Sequence, residues 1–210
     1  MNLGESGATQ WRSANIQAFW GEIAPCDHLV QFYENDAHFL NTLEGFAGSG
    51  ILSGDSVIII ATQKHLQQLN KRLEKQGFNI DSLVIDNRYF PLEASETLAA
   101  FTLNNWPDEA LFNSYITKLL KKAKTNGTKV RAFGEMVAVL WEQGHTDATV
   151  QLENLWHNLH HQDNFSLFCA YPKSAFAQQA TESLNQICKA HSKIIDGDNR
   201  PSTEIYYVSA

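Results

Sequence analysis

A single carboxylate stands where a short apolar run gives way to a helical pattern. The run from Lys129 to Phe133 has the composition of a β-strand. Glu135 precedes a helix predicted from Met136 to Gln143. Open α/β sheets bind ligands at the edge where their parallel strands end. Glu135 is therefore the first candidate for ligand binding. The alternative is that it only stabilises the helix N-terminus, by about 0.3–1 kcal/mol.

Other polar residues follow the ends of predicted strands. If the strands are parallel, three groups should reach the same edge as Glu135, namely Thr62, Asp86 to Arg88, and Cys169 to Tyr171. Arg131 and Arg88 are the cations expected to pair with Glu135 or with an anionic ligand. Thr62 also suits the N-cap of the next helix, whose N–H groups could receive an anion.

Aromatic and histidine side chains complete the predicted ligand-binding set. Tyr33, Phe133 and Tyr171 are expected to enclose the apolar part of a ligand, although the default role of such aromatics is to fill the core. For His28 and His191, a core role and a ligand-pocket role both stay open. The predicted ligand-binding residues are Glu135, Arg131, Arg88, Thr62, His28, Tyr33, Phe133, Tyr171 and His191.

Metal and nucleophile motifs are weak. His157 and His161 have the i, i+4 spacing of a metal-binding pair, but the HExxH glutamate is missing, which favours a solvated helix end. No GxSxG motif is present, and Cys169 lies in an apolar run where a thiol is usually inert. The sequence therefore predicts no metal and no catalytic residue.

A phosphate-binding loop is also missing after the apolar run Ser56–Ala61. The chain continues as Thr62-Gln63-Lys64-His65 instead of GxxxxGK[ST], so it lacks the glycines and the lysine that hold nucleotide phosphates. We predict no cofactor, no ATPase activity and weak or absent ATP binding.

Strands and helices alternate along the chain. This order predicts an α/β fold, a three-layer α/β/α sandwich with a mostly parallel central sheet. The predicted strands are His28–Tyr33, Ser56–Ala61, Leu83–Asp86, Lys129–Phe133, Phe165–Tyr171 and Glu204–Val208. Helices are predicted after Asn35 or Asp36 (ending at Gly48-Ser49-Gly50), after Thr62, from Ser95 to Leu103, after Asp108, from Met136, after Thr146 or Asp147, and from 175 to 191. Residues 1–18 are expected to be a flexible arm and residues 19–210 a single domain.

Composition excludes several functional classes. A formal net charge of −7 argues against a nucleic-acid-binding surface, and no apolar run approaches the roughly 20 residues that span a bilayer. Three widely spaced cysteines predict reduced thiols, and no signal peptide is recognisable. We expect a cytoplasmic protein.

Six motifs occur in order along most of the chain, and they are His28–Tyr33, Arg131–Val137, Leu140–Gly144, Leu152–Leu159, Phe165–Pro172 and Ile187–Ser192. Together they resemble the MEDS domain, the methanogen/methylotroph DcmR sensory domain. The resemblance implies a sensory module of RecA/KaiC-like fold without a working P-loop. The family name suggests a one-carbon or hydrocarbon derivative as the signal.

Three functions fit the sequence. The first is a non-catalytic sensor that binds a small molecule and signals through a kinase, a transcription regulator or self-association. The second is a remnant nucleotide-binding enzyme that uses Glu135. The third is a pure protein-interaction module. Detectable ATP turnover would favour the second, and the lack of a ligand-sized pocket would favour the third.

Overall fold

One sheet organises the protein. The computed structural model describes residues 27–125, 127–176, 181–196 and 204–207. Within these ranges a seven-stranded sheet has the order β3-β2-β6-β7-β1-β8-β9, and all neighbours are parallel except β8 and β9. Its strands are β1 (His28–Tyr33), β2 (Ser56–Ala61), β3 (Tyr89–Glu93), β6 (Val130–Gly134), β7 (Ser166–Pro172), β8 (Lys193–Asp196) and β9 (Glu204–Tyr207). Two further short strands, β4 (Thr102–Leu103) and β5 (Trp106–Pro107), form a separate hairpin.

Helices cover both faces of the sheet. One face carries α1 (Asp36–Leu52), α2 (Gln63–Lys75) and α3 (Ile80–Ile85). The other face, called here the α7 face, carries α4 (Ala94–Ala99), α5 (Glu109–Ala123), α6 (Met136–Glu142), α7 (Thr146–Gln162) and α8 (Thr181–Ala190). A 3-10 helix, Lys173–Phe176, follows β7. The predicted three-layer α/β/α sandwich is confirmed.

Two separate apolar cores follow from the alternation of side chains along each strand. In β6, Val130 and Ala132 belong to the core under α7, whereas Phe133 belongs to the core under α1 and α2. Residues on neighbouring positions of one strand therefore reach different sites. No helix among the described residues has the length and apolar character needed to cross a bilayer.

The strongest periodic patterns are confirmed. The buried strand Ser56–Ala61 has the predicted bounds, and α7 buries Leu152, Leu155, Trp156 and Leu159 as the i, i+3, i+4, i+7 spacing indicates. Trp156 is 1% exposed. Gly144 has a φ of 80° and follows α6, which is the backbone conformation expected just beyond a helix end.

Helix α1 is longer than predicted. Gly48, Ser49 and Gly50 lie buried inside it rather than at its end. A Cβ atom on Gly50 would lie 2.9 Å from both Arg131 Cδ and Val57 Cγ2. Gly50 is therefore present because the helix packs closely on the sheet, and not because the chain turns there.

The predicted strand Leu83–Asp86 is wrong. Residues Ile80–Ile85 are helical, the Asn79 side chain caps them by accepting from Ser82 N, and the strand comes later, at Tyr89–Glu93. A run of three apolar residues does not distinguish a short helix from a strand. Ile85 is 77% exposed, so this run does not enter the core at all.

Two further boundaries differ from the prediction. The helix expected from Ser95 to Leu103 is only Ala94–Ala99, because Asn104 and Asn105 adopt positive φ and turn the chain into the β4–β5 hairpin. The residue before α7 is His145, without a side-chain cap bond, in place of Thr146 or Asp147.

The ends of the chain are described only in part. The predicted tail strand is confirmed as β9 at the sheet edge. The helical region predicted from 175 to 191 contains the end of the 3-10 helix and α8, and His191 lies beyond α8. The predicted arm, 1–18, lies outside the described residues.

Candidate functional site

Glu135 lies in the crevice between two neighbouring strands. Its backbone N–H donates to Ile60 O at 2.8 Å, which places it at the end of β6 beside the end of β2. The chain leaves β2 for α2 on one face and leaves β6 for α6 on the other. Adjacent strands whose connections diverge in this way open a crevice at the carboxyl edge, the edge at which the parallel strands end.

The carboxylate of Glu135 caps the neighbouring helix. Its Oε2 accepts the backbone N–H of Thr62 at 2.8 Å, at the N-terminus of α2. The Thr62 side chain itself makes no cap bond. Helix N-termini bind anions, and here the anion is supplied by the protein's own glutamate. The predicted proximity of Glu135 and Thr62 is therefore observed.

A histidine links Glu135 to the surface. His65 Nδ1 lies 2.7 Å from Glu135 Oε1, and its Nε2 lies 3.6 Å from Asp36 Oδ2. Lys64 pairs with the same Asp36 carboxylate, which is 43% exposed. Burial would lower the pKa of His65, but the hydrogen bond and charge of Glu135, with those of Asp36, outweigh it and raise the pKa. This cluster, Glu135 with Thr62, His65 and Asp36, is named the edge cluster.

Aromatic rings border the edge cluster. The Phe39 ring centroid lies 4.9 Å from that of His65, 4.8 Å from that of Tyr33 and 5.5 Å from that of Phe133. Burial and then the charge of Glu135 raise the pKa of the Tyr33 phenol. The expected neighbourhood of Tyr33, Phe133 and Glu135 is thus observed, with Phe39 between them.

Arg131 and Arg88 lie at the opposite edge of the sheet. Arg131 Nε pairs with Asp55 Oδ2 at 2.8 Å, and Arg88 Nη2 donates to Ile51 O at 2.8 Å. The predicted pairing of either arginine with Glu135 is wrong. Arg131 and Glu135 are four residues apart along one strand direction, which corresponds to about 13 Å. Arg88 was expected to follow a strand at Leu83–Asp86. It instead lies immediately before β3, which begins at Tyr89.

His28, His191 and Tyr171 lie on the α7 face. Tyr171 donates to Glu153 Oε1, and the ring centroids of His28 and His191 are 3.9 Å apart. The sheet separates these residues from Tyr33, Phe133 and Glu135. The nine predicted residues therefore divide among three places and do not form one pocket.

A second polar cluster surrounds the two histidines. Its ligand-bearing side chains come from β1, α7, β7 and the residue after α8, and they are His28, Glu153, Cys169 and His191. All four are buried, and one donor atom from each lies within 4.8 Å of the other three. This set is named the buried tetrad.

Burial governs the protonation of the buried tetrad. It lowers the pKa of His28, with a further contribution from His191, and it lowers the pKa of His191 to about 4. It raises the pKa of Glu153 to about 7 and raises that of the Cys169 thiol. Without a compensating cation, these environments favour the uncharged forms.

Glu153 was not predicted as a site residue, and Cys169 was expected to be an inert thiol near the carboxyl edge. The helical spacing of buried residues in α7 could have indicated Glu153. Glu153, Trp156 and His160 follow i, i+3 and i+7 and so share the buried side of α7. His157 and His161, for which a solvated helix end was favoured over a metal-binding pair, have ring centroids 4.4 Å apart. His161 is exposed and His157 is partly buried.

A shallow groove lies between α5 and α7. It encloses about 250 Å³ and is lined by Glu109, Asn113, Leu155, Asn158, His161 and Gln162. None of the predicted ligand-binding residues lines it.

Comparison with known proteins identifies a family whose model matches most of the chain. Residues 27–192 match the family MEDS, described as "MEthanogen/methylotroph, DcmR Sensory domain". Ribosomal RNA large subunit methyltransferases M from Shewanella sp. (strain W3-18-1) and Shewanella baltica (strain OS155) are 35% identical over 96 residues. That match covers 45% of this chain and 25% of theirs, so the chain spans about a quarter of the length of these relatives.

A solved structure supports the fold. A protein from Pyrococcus horikoshii OT3 (Project ID PH0250) superposes with a TM-score of 0.57, covers 86% of both chains and is 11% identical. This similarity concerns the fold alone. The relation to RecA and KaiC stays a prediction.

Proposed function

The chain belongs to the MEDS family of sensory domains, and we propose that it is a non-catalytic cytoplasmic module that binds a small-molecule signal at the edge cluster. The observation that carries the proposal is the hydrogen bond from Thr62 N–H to Glu135 Oε2 at 2.8 Å. A polar ligand that competes for this N–H displaces the carboxylate.

The polar part of the ligand has two partners in this proposal. The Thr62 N–H and the His65 ring are both engaged by Glu135, so an acceptor group of the ligand substitutes for one carboxylate oxygen. Each hydrogen bond to a charged group contributes about 1.5–3 kcal/mol. The ligand must therefore supply comparable bonds, which favours small molecules with a carboxyl, carbonyl or hydroxyl group.

The apolar part of the ligand packs against aromatic rings. Tyr33, Phe39 and Phe133 border the edge cluster and are almost fully buried. A ligand that enters must displace side chains, which restricts it to a few non-hydrogen atoms. One-carbon and short hydrocarbon derivatives meet this limit.

Signal transmission follows from the position of Glu135. It is the residue immediately before α6, so displacement of its carboxylate changes the start of that helix. Helix α6 packs on α7, which offers an outer surface to a partner. Sensing requires only that the ligand binds more tightly when α6 is in one of two positions, and a coupling free energy of about 1–3 kcal/mol is typical. The partner is a kinase, a transcription regulator or a second copy of the chain.

Thermal-shift measurement tests the proposal. The purified chain is melted with a panel of small alcohols, amines, aldehydes and carboxylates, beside Glu135→Gln and the exposed-residue control Glu74→Gln. At least one compound is expected to raise the melting temperature of the wild type and of Glu74→Gln, but not of Glu135→Gln. An equal shift in Glu135→Gln would place the ligand elsewhere.

A second outcome separates the remaining functions. If no compound shifts the melting temperature and Glu135→Gln leaves partner binding intact, the chain is an interaction module. Hydrolysis of ATP that Glu135→Gln abolishes would favour the enzyme.

A further inference from the structure

The buried tetrad has the composition of a metal site. Four parts of the fold each contribute one side chain, and together these are two imidazoles, one carboxylate and one thiol. His28 and His191 are each 2% exposed, Glu153 is 1% exposed and Cys169 is 0% exposed. A glutamate is almost never buried this completely unless it is paired or binds a metal.

Distances within the buried tetrad match a small coordination sphere. Glu153 Oε2 lies 4.0 Å from His28 Nε2, 3.6 Å from His191 Nε2 and 3.9 Å from Cys169 Sγ. Cys169 Sγ lies 3.8 Å from His28 Nε2. Four of the six separations therefore lie between 3.6 and 4.0 Å, and all six lie within 4.8 Å. A regular tetrahedron with edges of 3.6–4.0 Å has its centre about 2.2–2.4 Å from each corner, close to zinc–sulfur and zinc–nitrogen bond lengths.

The protein orients one ligand as metal sites do. His191 Nδ1 lies 2.6 Å from Ile187 O, an acceptor, so the ring donates there and its Nε2 carries the lone pair. Metal-binding histidines commonly donate their other N–H to a backbone carbonyl in this manner. Ser192, next to His191, donates its N–H to His28 O and accepts the His28 N–H at its Oγ, which holds the two histidines together. Tyr171 donates to the second oxygen of Glu153.

Hydrogen bonding within the protein does not satisfy these atoms. His191 Nε2 is buried without a hydrogen-bond partner, and 3.6 Å to Glu153 is too long for one. The single thiol proton of Cys169 faces both His28 and Glu153 and can serve one of them. The nitrogen–oxygen separations of 3.6 and 4.0 Å are too long for hydrogen bonds, so these buried polar atoms converge without the bonds that would offset the cost of their burial.

We propose that His28, Glu153, Cys169 and His191 bind a divalent transition metal ion, with zinc the best match. Two neutral imidazoles, one carboxylate and one thiolate give zero net charge with Zn²⁺, which suits a site closed to solvent. Mixed nitrogen, oxygen and sulfur ligands in a tetrahedron favour zinc over magnesium or calcium. Four protein ligands leave no open position, so the metal is structural, and it ties the segment after α8 to β1, β7 and α7.

This metal site is independent of the proposed ligand site. The edge cluster lies on the opposite face of the sheet, and its tests do not depend on metal content. The failure of either proposal therefore leaves the other standing.

Metal analysis of the full chain tests the inference. The protein is expressed with added Zn²⁺, dialysed, and its zinc is measured by mass spectrometry. We expect about one zinc per chain in the wild type and a loss of at least about tenfold in Cys169→Ala and His191→Ala. Circular dichroism of each variant establishes whether it is folded.

Controls exclude surface binding. Cys188→Ser removes the other described thiol, and His161→Gln disrupts the i, i+4 histidine pair on α7. Both are expected to keep their zinc. Zinc lost in His161→Gln but retained in Cys169→Ala would overturn the proposal.

Cobalt gives a readout that needs no variant. Wild-type protein refolded with Co²⁺ is expected to show the visible absorption of a tetrahedral site and a near-ultraviolet band from a thiolate ligand. Folded wild-type protein with neither zinc nor these bands, after refolding with each metal, would also overturn the proposal.

Discussion

Glu135 Oε2 lies 2.8 Å from the backbone nitrogen of Thr62, so a carboxylate at the end of one strand caps the helix that follows its neighbour. A residue singled out as a ligand contact thus has a structural role in the ligand-free protein. Both roles use the same hydrogen bond, which makes its removal informative.

Glu135→Gln should destabilise the fold. The amide still accepts from Thr62 N–H, but the charge that supports this bond and the His65 bond is lost, which costs about 1–3 kcal/mol. Urea unfolding measures the difference, with the exposed Glu74→Gln as the control. Equal midpoints for Glu135→Gln and the wild type would contradict the described geometry.

The edge cluster should make stability depend on pH. Because Glu135 and Asp36 raise the pKa of His65 in the folded protein, its contribution is complete below the unfolded value of about 6.5 and is lost as pH rises through the folded pKa. The melting-temperature difference between the wild type and His65→Gln should shrink from about pH 6 to pH 8. A difference that grows over this range would show that the pKa is lowered instead.

Trp156→Ala should cost about 3–5 kcal/mol, because it leaves a large cavity in the core beneath α7. The Trp156 ring lies 5.1 Å from that of Phe112 in an edge-to-face arrangement. Chemical denaturation checks the value, and Trp106→Ala, which removes a tryptophan that is 48% exposed, is the control. An unchanged midpoint for Trp156→Ala would contradict the packing.

Arg131→Met should destabilise the protein by about 3–5 kcal/mol, since it leaves Asp55 buried without its cation. Arg72→Met removes a partly exposed ion pair with Glu44 and should cost at most about 1 kcal/mol. Denaturation curves of both variants give the comparison. Arg131→Met should keep any ligand response, because Arg131 is remote from Glu135.

Mg²⁺-ATP should bind weakly or not at all. Residues Thr62 to His65 lead directly into α2 without a glycine-rich loop, so there are too few N–H groups to hold a triphosphate. Isothermal titration should give no heat at micromolar concentrations of nucleotide. Micromolar binding with phosphate release would restore the enzyme hypothesis.

Periodicity predicted the elements that bury a continuous face. It identified β2 and the apolar stripe of α7, because burial there imposes a regular spacing on the sequence. It failed at Leu83–Ile85, where three apolar residues are partly or largely exposed and local capping by Asn79 decides the structure.

The site was predicted less completely than the fold. The positions of the strand ends correctly predicted that Glu135 and Thr62 lie close together. The sequence analysis did not establish which face of the sheet each side chain occupies, nor that Arg131 lies near the start of β6. His28 and His191 are 163 residues apart in sequence, and Cys169 and Glu153 join them only through tertiary packing. No local spacing connects such residues, so a scan for short motifs does not find them.

The position of β1 has a consequence for biosynthesis. The first described strand pairs on one side with β7 and on the other with β8, so both neighbours come from residues 166–196. During translation, neither neighbour of β1 is available for pairing until residues 166–196 have left the ribosome, so both edges of the strand stay unpaired until then. Such long-range closure favours slow folding and exposes the nascent chain to aggregation, so we expect the domain to benefit from a chaperone that shields that strand.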